Sequence, residues 1–100
     1  MVIPEKIKIL FKEYQIEQRE GLHDGADDLY GQICYFDEKI FLNPSCSENQ
    51  KKATLIHEII HGIDEMYGIG LKEKQVEKLG NAVYMLLRDN PNAFERGDAS

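Results

Sequence analysis

The sequence predicts an α+β domain in the order helix, small antiparallel sheet, helix, helix. Three observations carry this reading. Segments that read as strands lie between Tyr14 and Leu42. Apolar residues recur at spacings of three and four on both sides of it. Two overlapping capping boxes, Ser45-Cys46-Ser47-Glu48 and Ser47-Glu48-Asn49-Gln50, mark a helix start near residue 47.

At the N-terminus, Pro4 suits the first turn of a helix. Ile3, Ile7, Leu10, Phe11 and Tyr14 follow at helical spacing, separated by Glu5, Lys6, Lys8, Lys12 and Glu13. A short amphipathic helix is expected there. Tyr14 to Arg19 then alternates as a strand does. Gly21 to Asp28, with its glycines and aspartates, reads as a loop. Leu29 to Phe36 is rich in aromatic and β-branched residues and reads as a strand. Asp37-Glu38 makes a turn, and Lys39 to Leu42 returns as a short strand that Asn43-Pro44 ends.

The long helix that begins near residue 47 carries Ala53, Leu55, Ile56, Ile59, Ile60, Ile63 and Met66 on a broad apolar face, with Gly68 as its C-terminal cap. Gly70 separates it from a last helix, Lys72 to Arg88, which presents Val76, Leu79, Val83, Leu86 and Leu87 to the core. Asp89-Asn90-Pro91 stops that helix, and Asn92 to Ser100 reads as a loose tail.

One hundred residues make one domain, 1–100. Hydrophobic residues at 42% and charged residues at 30% are ordinary for a globular protein. The formal net charge of −6 argues against nucleic acid and against anionic membrane surfaces as partners. No apolar run is long enough to span a membrane, and the N-terminus lacks the pattern of a signal peptide. A cytoplasmic location is therefore expected, with Cys34 and Cys46 as reduced, buried thiols at a spacing unlike a C-x-x-C metal site.

The long helix contains His57-Glu58-Ile59-Ile60-His61, an H-E-x-x-H pentapeptide. Residues four apart share a helix face, so two imidazoles can grip one zinc ion while the intervening carboxylate handles protons. At about 100° per residue, His57 and His61 fall outside the apolar arc, beside Asp64 and Thr54. A cleft against another element fits that position.

Catalytic zinc takes three protein ligands and keeps one position for water. Asp64 and Tyr67 stand where a three-histidine metzincin needs glycine and histidine, which excludes that version. A gluzincin arrangement takes a glutamate from the following helix, and Glu73 and Glu77 are both available. Burial on the helical wheel favours Glu73. Depth favours Glu77, which lies about one turn into the helix and nearer the level of the histidines. Glu77 is the expected third ligand, with Asn81 one turn further on to orient a ligand histidine. Gly80 fits a close approach of the two helices. Weaker candidates are Tyr67 for the oxyanion and His23 as a fourth ligand. The Asp24, Asp27 and Asp28 cluster does not fit calcium-loop spacing and reads as an acidic surface loop.

From Glu48 to Asn90, about half the chain, the sequence resembles the ImmA/IrrE-like zinc peptidases of bacteria, phages and integrative elements. Thr54-Leu55-Ile56-His57-Glu58-Ile59-Ile60-His61 and Glu77-Lys78-Leu79-Gly80-Asn81-Ala82-Val83-Tyr84 carry the likeness. The resemblance implies a minimal zincin-like domain of the compact phage or prophage type, with His57, His61 and Glu77 as zinc ligands and Glu58 as general base. It implies peptide-bond hydrolysis of a protein substrate, such as a regulatory protein of a phage or mobile element. The alternative is a catalytically weak or latent zinc-binding module. The chain is shorter than the full-length peptidases, Gly80 stands where alanine is commoner, and Lys72 replaces a capping serine.

Overall fold

The computed structural model describes residues 1–24 and 27–94. Four strands form one sheet: β1 (Lys6–Ile9), β2 (Lys12–Gln18), β5 (Gly31–Cys34) and β6 (Lys39–Leu42). Two short strands, β3 (His23–Asp24) and β4 (Asp27–Asp28), pair as a separate ribbon where a loop was expected. Helices α1 (Glu48–Tyr67) and α2 (Glu73–Asp89) complete the chain. The fold class is α+β, as the sequence predicts. The acidic side chains of the Gly21 to Asp28 stretch and tail residues 95–100 lie outside the described residues.

The expected N-terminal helix is instead a hairpin. Lys6-Ile7-Lys8-Ile9 alternates by twos, and it pairs antiparallel with β2 from Lys6↔Gln15 to Ile9↔Lys12. Leu10 and Phe11, which looked like part of a helical apolar face, are the turn. They are 46% and 75% exposed, and Leu10 adopts a left-handed φ of 57°. The hairpin wins because Ile7, Ile9, Tyr14 and Ile16 then join one core around Ile40, Leu42 and Leu55. A short isolated helix has no comparable partner.

The sheet is also mixed rather than antiparallel. Its order is β1-β2-β6-β5, and β2 and β6 run parallel from Gln15↔Lys39 to Gln18↔Leu42. The chain crosses over between them through the ribbon and β5, and the β5–β6 hairpin then places β6 in the interior. Ile40, Phe41 and Leu42 are all buried accordingly. Phe41 faces away from α1, where the Arg19 guanidinium covers its ring at 4.6 Å from the centroid. β5 is left as an edge strand.

The caps of α1 are those the sequence marks. Ser47 accepts a hydrogen bond from the Gln50 amide at 3.1 Å, and Gly68 closes the helix at φ 61°. The helix lies on one face of the sheet, deeply buried at Thr54, Leu55, Ile56, Glu58 and Gly62. This stripe is displaced toward Glu58 relative to the purely apolar arc expected from the wheel. α2 packs on α1 and on no strand. No described helix is long and apolar enough to cross a membrane.

Two glycines lie where these layers meet. A Cβ at Gly31 would lie 2.5 Å from Thr54 Cγ2 and 2.9 Å from the Phe41 carbonyl oxygen, so β5 can pass this close to α1 only without a side chain. A Cβ at Gly80 would meet the His57 backbone at 3.4 Å, an ordinary contact. Gly31→Ala is expected to destabilise by about 1–3 kcal/mol through overpacking. Gly80→Ala should be neutral or stabilising by up to about 1 kcal/mol, since it removes a helix-interior glycine. Urea unfolding of the two variants checks the contrast; equal destabilisation would show that the α1–α2 contact is tighter than the geometry indicates.

Candidate metal centre

His57 and His61 stand on consecutive turns of α1, and their Nε2 atoms converge on one carboxylate. That carboxylate belongs to Glu73. His57 Nε2 lies 3.1 Å from Glu73 Oε1, and His61 Nε2 lies 3.0 Å from Glu73 Oε2. The imidazole rings meet edge to face at 4.9 Å between centroids. Donor atoms of the three residues all fall within 4.8 Å of one another.

This donor set fits a metal ion. Donors around a tetrahedral dication with bonds near 2.1 Å sit roughly 3.4 Å apart, close to the spacing here. Two imidazoles and a carboxylate suit a borderline divalent metal. The histidine side chains are about one-quarter exposed, so the group is accessible from the cleft rather than sealed in the core. Among the described residues, no fourth His, Cys, Asp or Glu joins the group. His23, Cys34 and Cys46 lie elsewhere.

Glu77, the expected third ligand, is not brought into this group. It lines the same cleft, together with Asn81. Azimuth decides between the two glutamates. Gly80 marks the face of α2 that touches the His57 backbone. At about 100° per residue, Glu73 lies about 20° from Gly80 around the helix and Glu77 about 60°. Depth along the helix favoured Glu77, but the Glu73 side chain reaches back from the first residue of α2 to both imidazoles. Asp64 Oδ1 accepts hydrogen bonds from the Gly70 and Leu71 amides at 2.7 and 3.0 Å. The turn is thereby held to the same face of α1 that carries His61. Gln75 Oε1 accepts from the Lys72 amide at 2.8 Å, which caps the helix where a serine is missing.

Glu58 points to the other side, toward the sheet. It is 7% exposed, so it is not a surface charge. Burial pushes its carboxyl up to about 7, and the negative charge of Glu73 adds to the shift, against a lowering hydrogen bond from the Ile33 backbone. A dication held beside Glu73 would offset that charge and favour the ionised form. Tyr35, overlooked in the sequence as a sheet aromatic, donates its hydroxyl to the His61 carbonyl at 3.3 Å. Burial, with Glu65 and Glu58 nearby, pushes its pKa up to about 12, so it remains a donor. Tyr67 is 60% exposed at the end of α1 and lines neither cleft beside the triad.

Two clefts of about 320 and 270 Å³ flank the group. Both are bordered by Leu29, Gly31, His57, Glu58 and Glu73, so they form one groove along β5. The Asn43 amide donates to the Tyr30 carbonyl, which fixes the alternation of the strand. Tyr30, Gln32 and Cys34 turn their backbone groups to β6, whereas Gly31 and Ile33 turn theirs to the free edge. The Gly31 edge faces the groove.

No family model matches the chain, and neither curated proteins nor solved structures give a match.

The burial of Glu58 has a measurable consequence in metal-free protein. The folded state keeps a proton on Glu58 up to about pH 7, whereas the unfolded chain releases it near 4.5. The folded state therefore binds more protons between these values, and its stability falls as pH rises through this window. Glu58→Gln lacks the effect, and contributions from other groups cancel in the comparison. The stability of wild type relative to this variant should drop by roughly 2–3 kcal/mol between pH 4.5 and pH 8. Urea unfolding with chelator present measures it; a pH-independent difference would mean that Glu58 ionises freely.

Proposed function

We propose that the chain is a minimal zinc-dependent peptidase of the ImmA/IrrE-like, gluzincin type. His57, His61 and Glu73 hold the metal, and Glu58 is the general base. The single observation that carries this reading is the position of Glu58. A carboxylate adjacent in sequence to a ligand histidine is buried at the junction of both clefts, beside the triad. A metal site built only for structure has no use for a desolvated carboxylate there. Three protein ligands rather than four also favour catalysis.

Bound zinc supplies a Lewis acid that lowers the pKa of a water toward neutrality and polarises a carbonyl oxygen. Glu58 takes a proton from the attacking water as the C–O bond forms. It delivers that proton to the amine nitrogen as the C–N bond breaks, so one water is consumed and a carboxylic acid and an amine are released. Packing of α1 against β5 holds the Glu58 carboxylate at the cleft, and Tyr35 supports the turn of α1 that carries His61. An extended peptide pairs with the free edge of β5 at Gly31, which passes it across the triad. The family resemblance points to a regulatory protein of a phage or mobile element as the substrate.

Two measurements test this. Competition against a chromophoric chelator should show Glu73→Gln weakening zinc by more than the about 10–100-fold that loss of an outer-shell partner costs. Glu77→Gln should stay within a few-fold of wild type; the reverse order would reassign the third ligand. With zinc loaded, Glu58→Gln should retain the metal and lose about 10²–10⁴-fold in the rate of peptide hydrolysis. Undiminished hydrolysis by that variant would sink the mechanism.

A further inference from the structure

The groove extends past the triad on the α2 side, and its wall there has a distinct chemistry. That cleft, about 320 Å³, is at the small end of ligand-site volumes. Glu77 and Asn81 face it from α2, Gln50 and Thr54 from α1, and Tyr30 from the loop before β5. Gln50 donates its amide to Thr54 Oγ1 at 3.0 Å, which leaves the Gln50 carbonyl oxygen as an acceptor. Asn81 offers a second amide oxygen.

Three carboxylates line this cleft and no Lys or Arg does. Glu73 is committed to the two histidines, and Glu58 is buried at the chemical centre. Glu77 has neither role, and among the described residues it enters no salt bridge. The Tyr30 ring, 61% exposed, stands ready to cover an alkyl stem or stack against a cation. A carboxylate, amide oxygens and an aromatic face together match an ammonium or guanidinium group on a long stem.

We propose that the cleft between Tyr30 and Glu77 is a side-chain subsite that selects a Lys or Arg residue of the substrate, with Glu77 as the specificity-determining residue. The inference rests on the peptidase reading. Because this cleft shares His57, Glu58 and Glu73 with the catalytic centre, the selected residue lies within two positions of the scissile bond. A protein of net charge −6 also attracts a basic segment over longer range.

The test is cleavage profiling of the zinc-loaded full chain. A peptide library cut by a glutamate-specific protease keeps basic residues internal, and mass spectrometry reads the new ends. Lys or Arg should be enriched at one fixed position. For a matched pair of synthetic peptides with Lys or norleucine there, kcat/KM should differ by about tenfold. The ratio should shrink with added salt, fall near one in Glu77→Gln, and invert toward a glutamate peptide in Glu77→Arg. Zinc content, measured alongside, separates this role from ligation. A ratio unchanged in Glu77→Gln, or cleavage with no fixed basic position, would overturn the subsite. If no peptide is cut, the peptidase reading fails instead. The subsite is then judged by NMR titration of the zinc-loaded protein with Ala-Lys-Ala amide and Ala-norleucine-Ala amide. Shifts at the Asn81 side chain with the lysine peptide alone support it, and equal or absent shifts overturn it.

Discussion

The Asp64 carboxylate holds the turn between the two helices, and the geometry of the centre follows from that bond pair. It accepts the Gly70 and Leu71 amides one turn after His61 on the same helix. The chain therefore doubles back at once. The first residue of α2 falls within side-chain reach of both histidines, and Gly80, two turns later, rests against the His57 backbone. Without this tie the same sequences would still form two helices. Their relative placement would be left to a few apolar contacts, too loose to fix a carboxylate near 3 Å from two imidazoles.

A second constraint comes from the sheet. β5 lies so near α1 that Gly31 has no room for a side chain. This closeness is what buries Glu58. It also leaves the outer edge of β5 exposed along the groove. One packing decision thus desolvates the carboxylate and presents a backbone edge beside it. Neither effect belongs to the pentapeptide alone.

The legible parts of the sequence are those with local causes. Ser47 and Gly68 mark the ends of α1 through hydrogen bonds made within a few residues, and the i, i+4 histidines share a face by helix geometry. Lys39 to Leu42 was also readable as a strand. The N-terminal segment was not, because Ile7, Leu10, Phe11 and Tyr14 satisfy a helical period while Lys6-Ile7-Lys8-Ile9 satisfies a strand period. Only the partner strand resolves that ambiguity. Parallel pairing of β2 with β6 joins residues 24 apart and leaves no local trace. The choice between Glu73 and Glu77 turned on Asp64, whose carboxylate reaches amides six and seven residues ahead and bears no motif. Wheel azimuth pointed to Glu73, whose carboxylate meets both imidazoles, and depth along the helix pointed to Glu77.

α2 touches α1 and no strand, and it keeps Leu79, Met85 and Leu86 substantially exposed. It is the less anchored of the two helices, and such elements open locally at lower free energy than global unfolding. The centre draws two ligands from α1 and one from α2, so a bound ion is a cross-link between the best-anchored helix and the worst. The free energy of binding falls on the docking equilibrium of a single helix rather than on the domain as a whole. Were an ion held there, assembly of the centre and docking of the last helix would be one thermodynamic event.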